Sequence, residues 1–303
     1  MTIVAIPEGD FNPVGVDVWE SFAEMKPPKR RVSPKSFDFW QSFTEMKVDS
    51  GLTRRQARLL RMMARDGERL SAAMQPRSSK IFSALGKKAS RAYSLTVEGK
   101  AAPYVGAISD LVAMVMGLMG LDQFQSDNVV PLWKAHYKLT AEVTFMTIAE
   151  ALQLTGGASP DEEGIATRIL ETGGRRAGLI DLSGDTKRAM FKAIEVGRVG
   201  GESNDQIARR IEAEVTAGRY NDVATRAQVI SRTETKFAQV SASIEIYRDN
   251  PNVSGIQLID AQLGPTDEEC TARNGRIVTP DEAQAALDSE HPNGSLAVIA
   301  VVR

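Results

Sequence analysis

The residue whose type and position most suggest chemistry is Glu234, in the peptide SRTETKF at residues 231–237. It takes one place in an otherwise apolar stripe of a predicted long helix, so its carboxylate should be buried, where it could serve as a general base. A buried carboxylate otherwise needs a donor, here an arginine or a backbone amide of the C-terminal segment. Because no second acid, nucleophile or metal cluster lies near it in the sequence, we interpret Glu234 as structural.

Cys270 and His291 are the other candidates for chemistry. A cysteine thiolate beside a histidine is a nucleophile, provided that the two residues meet in the fold. Neither an orienting third group nor an oxyanion motif accompanies them, and the sequence shows no phosphate-binding glycine loop, dinucleotide fingerprint or zinc-hydrolase helix. His136, in the amphipathic peptide LWKAHYKL (132–139), is expected in the core or at its boundary. We predict no catalytic residue and no cofactor.

Composition and charge indicate a globular chain. Apolar residues make up 42% of the 303 positions and charged residues 25%, with a net charge of −2, and this length accommodates about two domains. The single cysteine allows no internal disulfide and suits a reducing compartment. The N-terminus lacks the features of a signal peptide, and the most apolar run, at 111–121, is shorter than the about 20 residues of a membrane span. We expect a soluble, intracellular protein without a membrane partner.

Apolar periodicity and Gly or Pro breaks divide the sequence into elements. Helices are predicted at 53–74, 78–98, 104–122, 129–154, 161–172, 185–198, 203–217 and 220–249. Strands are predicted at 255–261 and 295–302, with turn-rich sequence between them. The predicted fold is mainly α with a small α+β C-terminal lobe, in which the long helix packs on a short sheet. The predicted parts are an extended N-terminal arm (1–50), a helical, partly basic body (51–172) and an α+β domain (173–303).

The arm contains nearly the same peptide twice, DVWESFAEMK at 17–26 and DFWQSFTEMK at 38–47, with seven of ten positions identical. In each copy an Asp is followed three residues later by Glu or Gln, as in a capping box, and the apolar residues fall on one helical face. Helices this short need a surface to lie on. We predict that equivalent pockets on symmetry-related partner chains receive the large apolar side chains of both copies: Trp19, Phe22, Met25, Trp40, Phe43 and Met46.

The eleven residues between the two copies span at most about 35–40 Å, which suits adjacent subunits of a ring or lattice. Linking two weak anchors raises their apparent affinity through effective concentration. The alternative is that both copies dock on this chain's own body. Because no matching duplication occurs in residues 51–303, we favour the partner chains.

A strongly basic segment follows the arm. Residues 52–93 contain eleven basic and two acidic residues, net +9, which is typical of a surface that contacts nucleic-acid phosphates or an acidic partner. Aromatic residues are sparse in it, so no base-stacking platform is indicated. A solvated helix face is the alternative interpretation. The candidate contacts to double-stranded DNA are Arg54, Arg55, Arg58, Arg61, Arg65, Lys87 and Lys88.

Roughly residues 170–303 carry an ordered set of features that resembles a known family. The set comprises Arg232-Thr233-Glu234-Thr235 on a helix, Asp260 at a strand end, Cys270 followed by Asn274-Gly275, and His291-Pro292-Asn293. It resembles the head-morphogenesis minor capsid family typified by the F protein of phage Mu. The resemblance implies a structural role for the motif residues Arg232, Thr233, Glu234, Asp260, Cys270, Gly275, His291 and Pro292.

The sequence departs from this family at its cysteines. Family members often carry Cys-x-x-Cys and later His-Pro-x-Cys-x-Cys, a set that could hold zinc. Asp267, Gly294 and Leu296 stand at three of those positions here. The remaining cysteine, histidine and aspartate fall short of the four ligands of a structural zinc site, so we predict no metal.

The resemblance implies a minor head protein of a tailed bacteriophage, present in few copies in the procapsid and virion near the portal vertex and assembled in the host cytoplasm. The expected partners are the portal or major capsid protein, bound through the arm, and double-stranded DNA. We expect no enzymatic activity. The alternatives are a capsid-associated enzyme (a protease, nuclease or transferase) and a DNA-binding accessory factor.

Overall fold

The computed structural model describes residues 52–98, 106–152, 161–172, 182–260, 268–290 and 295–302. Within these ranges the chain is mainly helical and ends in a three-stranded antiparallel sheet, which confirms the predicted fold class. Both copies of the repeated peptide in the predicted arm lie outside the described residues. None of the described helices combines the length and the apolar character needed to cross a membrane.

The described elements follow one another in this order. The helices are α1 Arg54–Val97, α2 Ile108–Met119, α3 Leu121–Phe124, α4 Val130–Leu152, α5 Glu162–Thr172, α6 Leu182–Val199, α7 Asn204–Ala217, α8 Val223–Arg248, α9 Glu268–Arg273 and α10 Pro280–Ser289. A π-helical turn, Gln125–Val129, joins α3 to α4. The strands are β1 Val253–Asp260, β2 Ile277–Val278 and β3 Leu296–Val302.

Helix α1 is one continuous helix of 44 residues, so the predicted break between 74 and 78 is wrong. Pro76 has no amide hydrogen to donate to the carbonyl one turn earlier, and a proline in a helix interior costs about 3 kcal/mol. The hydroxyl of Ser78 donates to the carbonyl of Met74, four residues earlier (3.0 Å). Met74 before the proline and Phe82 after it are both buried, and this packing maintains the helix through Pro76.

Three long helices, α1, α4 and α8, contact one another and form the centre of the body, with α7 lying on α1 and α6 on α7. The apolar core between them is continuous and includes Phe82 of α1, Trp133 of α4 and Phe237 of α8. It extends into the sheet through Ile256 and Val298. Helices on both sides of the predicted domain boundary at 172/173 thus share one core, and the boundary itself stays a prediction.

The sheet has the strand order β2-β1-β3, with antiparallel pairing throughout. Ile256 of β1 lies opposite Val278 of β2 and opposite Ala300 of β3. One face of the sheet joins the main core under α8, whereas Ile259 and Ile299 on the other face pack on the first turns of α1. Both predicted strands are confirmed, and the long helix packs on the sheet as predicted.

The turn-rich segment between the two predicted strands contains elements that the sequence analysis missed, among them α10. This helix begins with a capping box: the Thr279 hydroxyl accepts from the Glu282 amide (3.3 Å), and the Glu282 carboxylate accepts from the Thr279 amide (2.8 Å). Pro280 follows the cap, where its fixed φ suits the first helical turn. Ala283 and Leu287, one turn apart, are its buried side chains. The pattern Thr-Pro-x-Glu at 279–282 was therefore the sequence signal that predicts the start of this helix.

Candidate functional site

Glu234 is fully buried on α8, as its place in the apolar stripe predicted. The hydroxyl of Tyr137, on α4, donates to Oε2 of Glu234 (2.7 Å). This donor belongs to the helical body; the expected contact of Glu234 with an arginine or a backbone amide of the C-terminal segment stays a prediction. Tyr137 and Glu234 are separated by 97 positions, and only the packing of α4 on α8 brings them together.

A second buried polar pair joins the same two helices. His136 Nε2 and Thr235 Oγ1 lie 2.8 Å apart. Because the Thr235 hydroxyl donates its hydrogen to the carbonyl of Ser231 (2.7 Å), it accepts from His136, which places the imidazole proton on Nε2. Burial, together with the positive charge of Arg77, lowers the pKa of His136 to about 3. His136 is therefore a neutral core residue at physiological pH, in agreement with its expected position.

The C-terminal lobe contains a buried group of four charged side chains that we call the ionic cluster: Lys236, Asp260, Arg273 and Glu290. Arg273 NH2 lies 2.9 Å from Asp260 Oδ2 and forms a second ion pair with Glu290. Lys236 Nζ, from α8, lies 3.2 Å from Glu290 Oε1. Burial lowers the pKa of Lys236 to about 8, a shift that the charge of Glu290 opposes. Among the residues that the structure describes, two cations thus face two carboxylates in the interior of the lobe.

Hydrogen bonds from neighbouring segments extend the ionic cluster. The Ser295 hydroxyl donates to Asp260 Oδ1, and the Leu296 amide donates to Glu290 Oε1 (3.3 Å). The Asp260 amide donates to the side-chain oxygen of Asn274 (2.9 Å). The cluster therefore joins the end of β1 and the start of β3 to the long helix. Sequence reasoning identified Asp260 by its resemblance, but it did not connect this residue to Lys236, Arg273 or Glu290.

The other family-like motif residues make local contacts where the structure describes them. Asn274-Gly275 forms a turn in which Gly275 has φ +81°, a conformation that favours glycine, and its amide donates to a β1 carbonyl (2.8 Å). On α8, the Thr233 hydroxyl donates to the carbonyl one turn earlier (2.8 Å). The half-buried Arg232 guanidinium lies 3.1 Å from the side-chain amide of Gln228.

Cys270 belongs to α9, but its side chain lies outside the described residues, as do His291 and Pro292. The proposed contact between Cys270 and His291 therefore stays a prediction, as does the expected lack of metal at this end of the lobe. Within the described ranges, no group of three or more His, Cys, Asp or Glu side chains is placed to hold a metal ion.

The structure separates the predicted phosphate-binding residues into two places on α1. Five arginines are exposed on its first three turns; we call them the arginine group: Arg54, Arg55, Arg58, Arg61 and Arg65. All but Arg55 share one side of the helix, at spacings of three and four. Arg58 pairs with Glu150 of α4 (2.8 Å). Lys87 and Lys88 lie about 33 Å further along the helix, at 1.5 Å per residue, and so belong to a different surface.

Comparison of the chain with models of protein families, with curated proteins and with solved structures finds no match. The resemblance to the minor capsid family therefore rests on the motif residues of the sequence. What the fold adds is the environment of these residues. Glu234 and Asp260, the two motif carboxylates, lie in the interior, and each faces a hydrogen-bond donor of the protein.

Proposed function

We propose that this chain is a structural minor head protein of a tailed bacteriophage, which binds near the portal vertex and acts in head assembly. The ordered motif residues between positions 232 and 293 support the proposal through their resemblance to the minor capsid family. The observation that favours a structural over a catalytic role is the use of the motif carboxylates. Glu234 accepts from Tyr137, and Asp260 is paired with Arg273 in the interior, so both stabilise the fold.

A catalytic acid, base or nucleophile has to reach a substrate. Glu234, Asp260 and His136 are each buried and each hydrogen-bonded to another side chain of the protein, which does not favour that role. The alternative of a capsid-associated enzyme then depends on Cys270 and His291. Under the structural proposal, neither the unmodified chain nor the Cys270→Ala variant has peptidase, nuclease or transferase activity. If the chain is an enzyme that uses Cys270, the unmodified chain is active and the variant is not.

The proposed partner of the arm is the portal or the major capsid protein. Rings and shells present one groove many times at a fixed spacing, and two linked anchors can occupy two such grooves at once. The gain in apparent affinity then comes from effective concentration and needs no new type of contact. The anchor side chains are those of the two repeated peptides, 17–26 and 38–47.

The arginine group supports double-stranded DNA as a second partner. From Arg54 to Arg65 it extends about 16 Å along one side of α1, a length that spans several phosphates of a duplex. Guanidinium groups form bidentate hydrogen bonds with phosphate oxygens. Contacts of this kind position a protein on DNA without reading its sequence. Packaged DNA next to the portal would be such a partner.

Mass spectrometry and cryo-EM of procapsids and mature heads of the phage that encodes this chain test the proposal. We expect a few copies per particle, with density on the inner side of the portal vertex. The purified chain should also bind isolated portal or major capsid protein. The proposal is wrong if the chain is absent from both particles and binds neither protein.

A further inference from the structure

From Leu111 to Met119 helix α2 has no polar or charged side chain, although one side of it faces outward; Ser109 and Asp110, in its first turn, are exposed. Its inner side is fully buried and includes Leu111, Val115 and Met119. On its outer side Met114 is 42% and Leu118 46% exposed. A helix that is apolar all round is normally covered on all sides. We call the outer side the α2 face and define it by Ala113, Met114, Gly117 and Leu118.

The two helices that contact α2 also expose apolar side chains. Helix α2 contacts α1 and α6, and Arg198 NH1 of α6 donates to the carbonyl of Gly106, just before α2 (2.9 Å). These two neighbouring helices expose three further aliphatic side chains, Leu95, Val196 and Val199. A contiguous exposed apolar patch is characteristic of a binding surface, and the α2 face is such a patch.

The repeated peptide of the arm has the chemistry and the length to cover this face. A helix over its ten residues would be about 15 Å long, and the twelve residues of α2 span about 18 Å. The peptide would bring one tryptophan, one phenylalanine and one methionine to the contact. At Gly117 a Cβ would meet no other atom of the described chain within 4 Å, so the surface has room there for a large side chain.

The length of chain before α1 decides which copy can reach the α2 face of its own chain. Tyr93 of α1 donates to Asn204 at the start of α7 (3.2 Å). Arg198, near the end of the preceding helix α6, donates to the carbonyl of Gly106 just before α2. The start of α2 therefore lies near the C-terminal end of α1, about 58 Å from Arg54. If α2 runs back along α1 for its whole length, its far end is still about 40 Å from Arg54.

The second copy ends at Lys47, and the six residues that connect it to Arg54 span at most about 25 Å, which is too short. The first copy ends at Lys26. Its connection to Arg54 can extend to about 75 Å even when 38–47 is helical. We propose that residues 17–26 dock on the α2 face of their own chain before assembly, and that residues 38–47 stay available to a partner. This inference is independent of the proposed phage function.

Tryptophan fluorescence of the full chain tests the docking. Two reporter variants are needed: Trp40→Phe, which keeps Trp19 as the reporter, and Trp19→Phe, which keeps Trp40. Both retain the buried Trp133 as a constant background. Leu118→Glu is then added to each reporter to make the α2 face polar. Met146→Glu is the matched control, because Met146 is 53% exposed on α4, away from the α2 face.

We expect Leu118→Glu to increase acrylamide quenching of Trp19 several-fold and to shift its emission to longer wavelength, at every protein concentration. Trp40 should not respond, and Met146→Glu should change neither reporter. The proposal is overturned if Trp19 does not respond to Leu118→Glu, or if Trp40 responds instead. It is also overturned if the Trp19 response vanishes on dilution, since the α2 face would then bind the arm of a second copy. Far-UV circular dichroism of each variant verifies that the helices are retained.

Discussion

Lys236 Nζ and Glu290 Oε1 lie 3.2 Å apart inside the C-terminal lobe, although 54 positions separate the two residues in the sequence. The pair joins the middle of the long helix α8 to the residue that follows α10. The other carboxylate oxygen of Glu290 pairs with Arg273, which also holds Asp260. A buried charge is tolerated only when it is paired, so each residue of the ionic cluster depends on the others.

Removing one charge from the ionic cluster should cost much more stability than removing one from an exposed ion pair. The change Glu290→Gln leaves Lys236 and Arg273 with Asp260 as the remaining carboxylate of the ionic cluster and should lower the free energy of unfolding by about 3–5 kcal/mol, measured by urea denaturation. The control is Asp281→Asn, which removes an exposed ion pair with Arg248 and should cost no more than about 1 kcal/mol. Equal losses in the two variants would contradict the role assigned to the cluster.

His136 should make stability depend on pH on the acid side. Its pKa in the folded chain, about 3, lies below its ordinary value of 6.5, so the unfolded chain takes up this proton at a higher pH. Stability should therefore be complete above pH 6.5 and decline as the pH falls towards 3, by up to roughly 1.4 kcal/mol per pH unit from this residue.

The variant His136→Gln isolates this contribution, because glutamine keeps a side-chain donor near Thr235 and does not titrate. Urea unfolding of both proteins between pH 3 and 7 should give a shallower pH dependence for the variant. Carboxylates elsewhere contribute equally to both proteins and cancel in the difference. If the two curves are parallel, burial does not keep His136 neutral.

The arginine group should determine affinity for double-stranded DNA. The combined change of four arginines to glutamine, Arg54, Arg58, Arg61 and Arg65, should weaken binding. It should also reduce the magnitude of the slope of log K against log salt by up to about 3–4, because fewer counterions are released on binding when fewer phosphates are contacted. The matched control is the double change of Lys87 and Lys88 to glutamine at the distant end of α1, which should have a smaller effect. Unchanged salt slopes in the quadruple variant would rule out this surface.

The two repeated peptides should act together when the chain is incorporated into heads. Trp19→Ala or Trp40→Ala alone should lower the number of copies per particle in part, because one anchor remains. Both changes together should lower it far more than the sum of the two, because the effective concentration supplied by the first anchor is lost. Quantitative mass spectrometry of purified heads gives the copy number. Independent, additive effects would argue against a bivalent attachment.

Elements whose signals are local were predicted closely. Helix α7, predicted at 203–217, is Asn204–Ala217, and α8, predicted at 220–249, is Val223–Arg248. The caps at Ser203 and Asp222 and the apolar periodicity behind them depend on residues within a few positions of one another. The break expected near Pro76 failed because its local cost is outweighed by the burial of Met74 and Phe82 on other helices.

Local patterning thus sufficed for the fold class, for most element bounds and for the burial of Glu234. The pairing of Glu234 with Tyr137 and the assembly of the ionic cluster became apparent only in the folded chain. These relationships depend on the distances between elements that are far apart in the sequence, and those distances are set by helix and sheet packing across the whole core. Residue types and spacings along the chain carry no direct record of such distances, because many different packings accommodate the same local pattern.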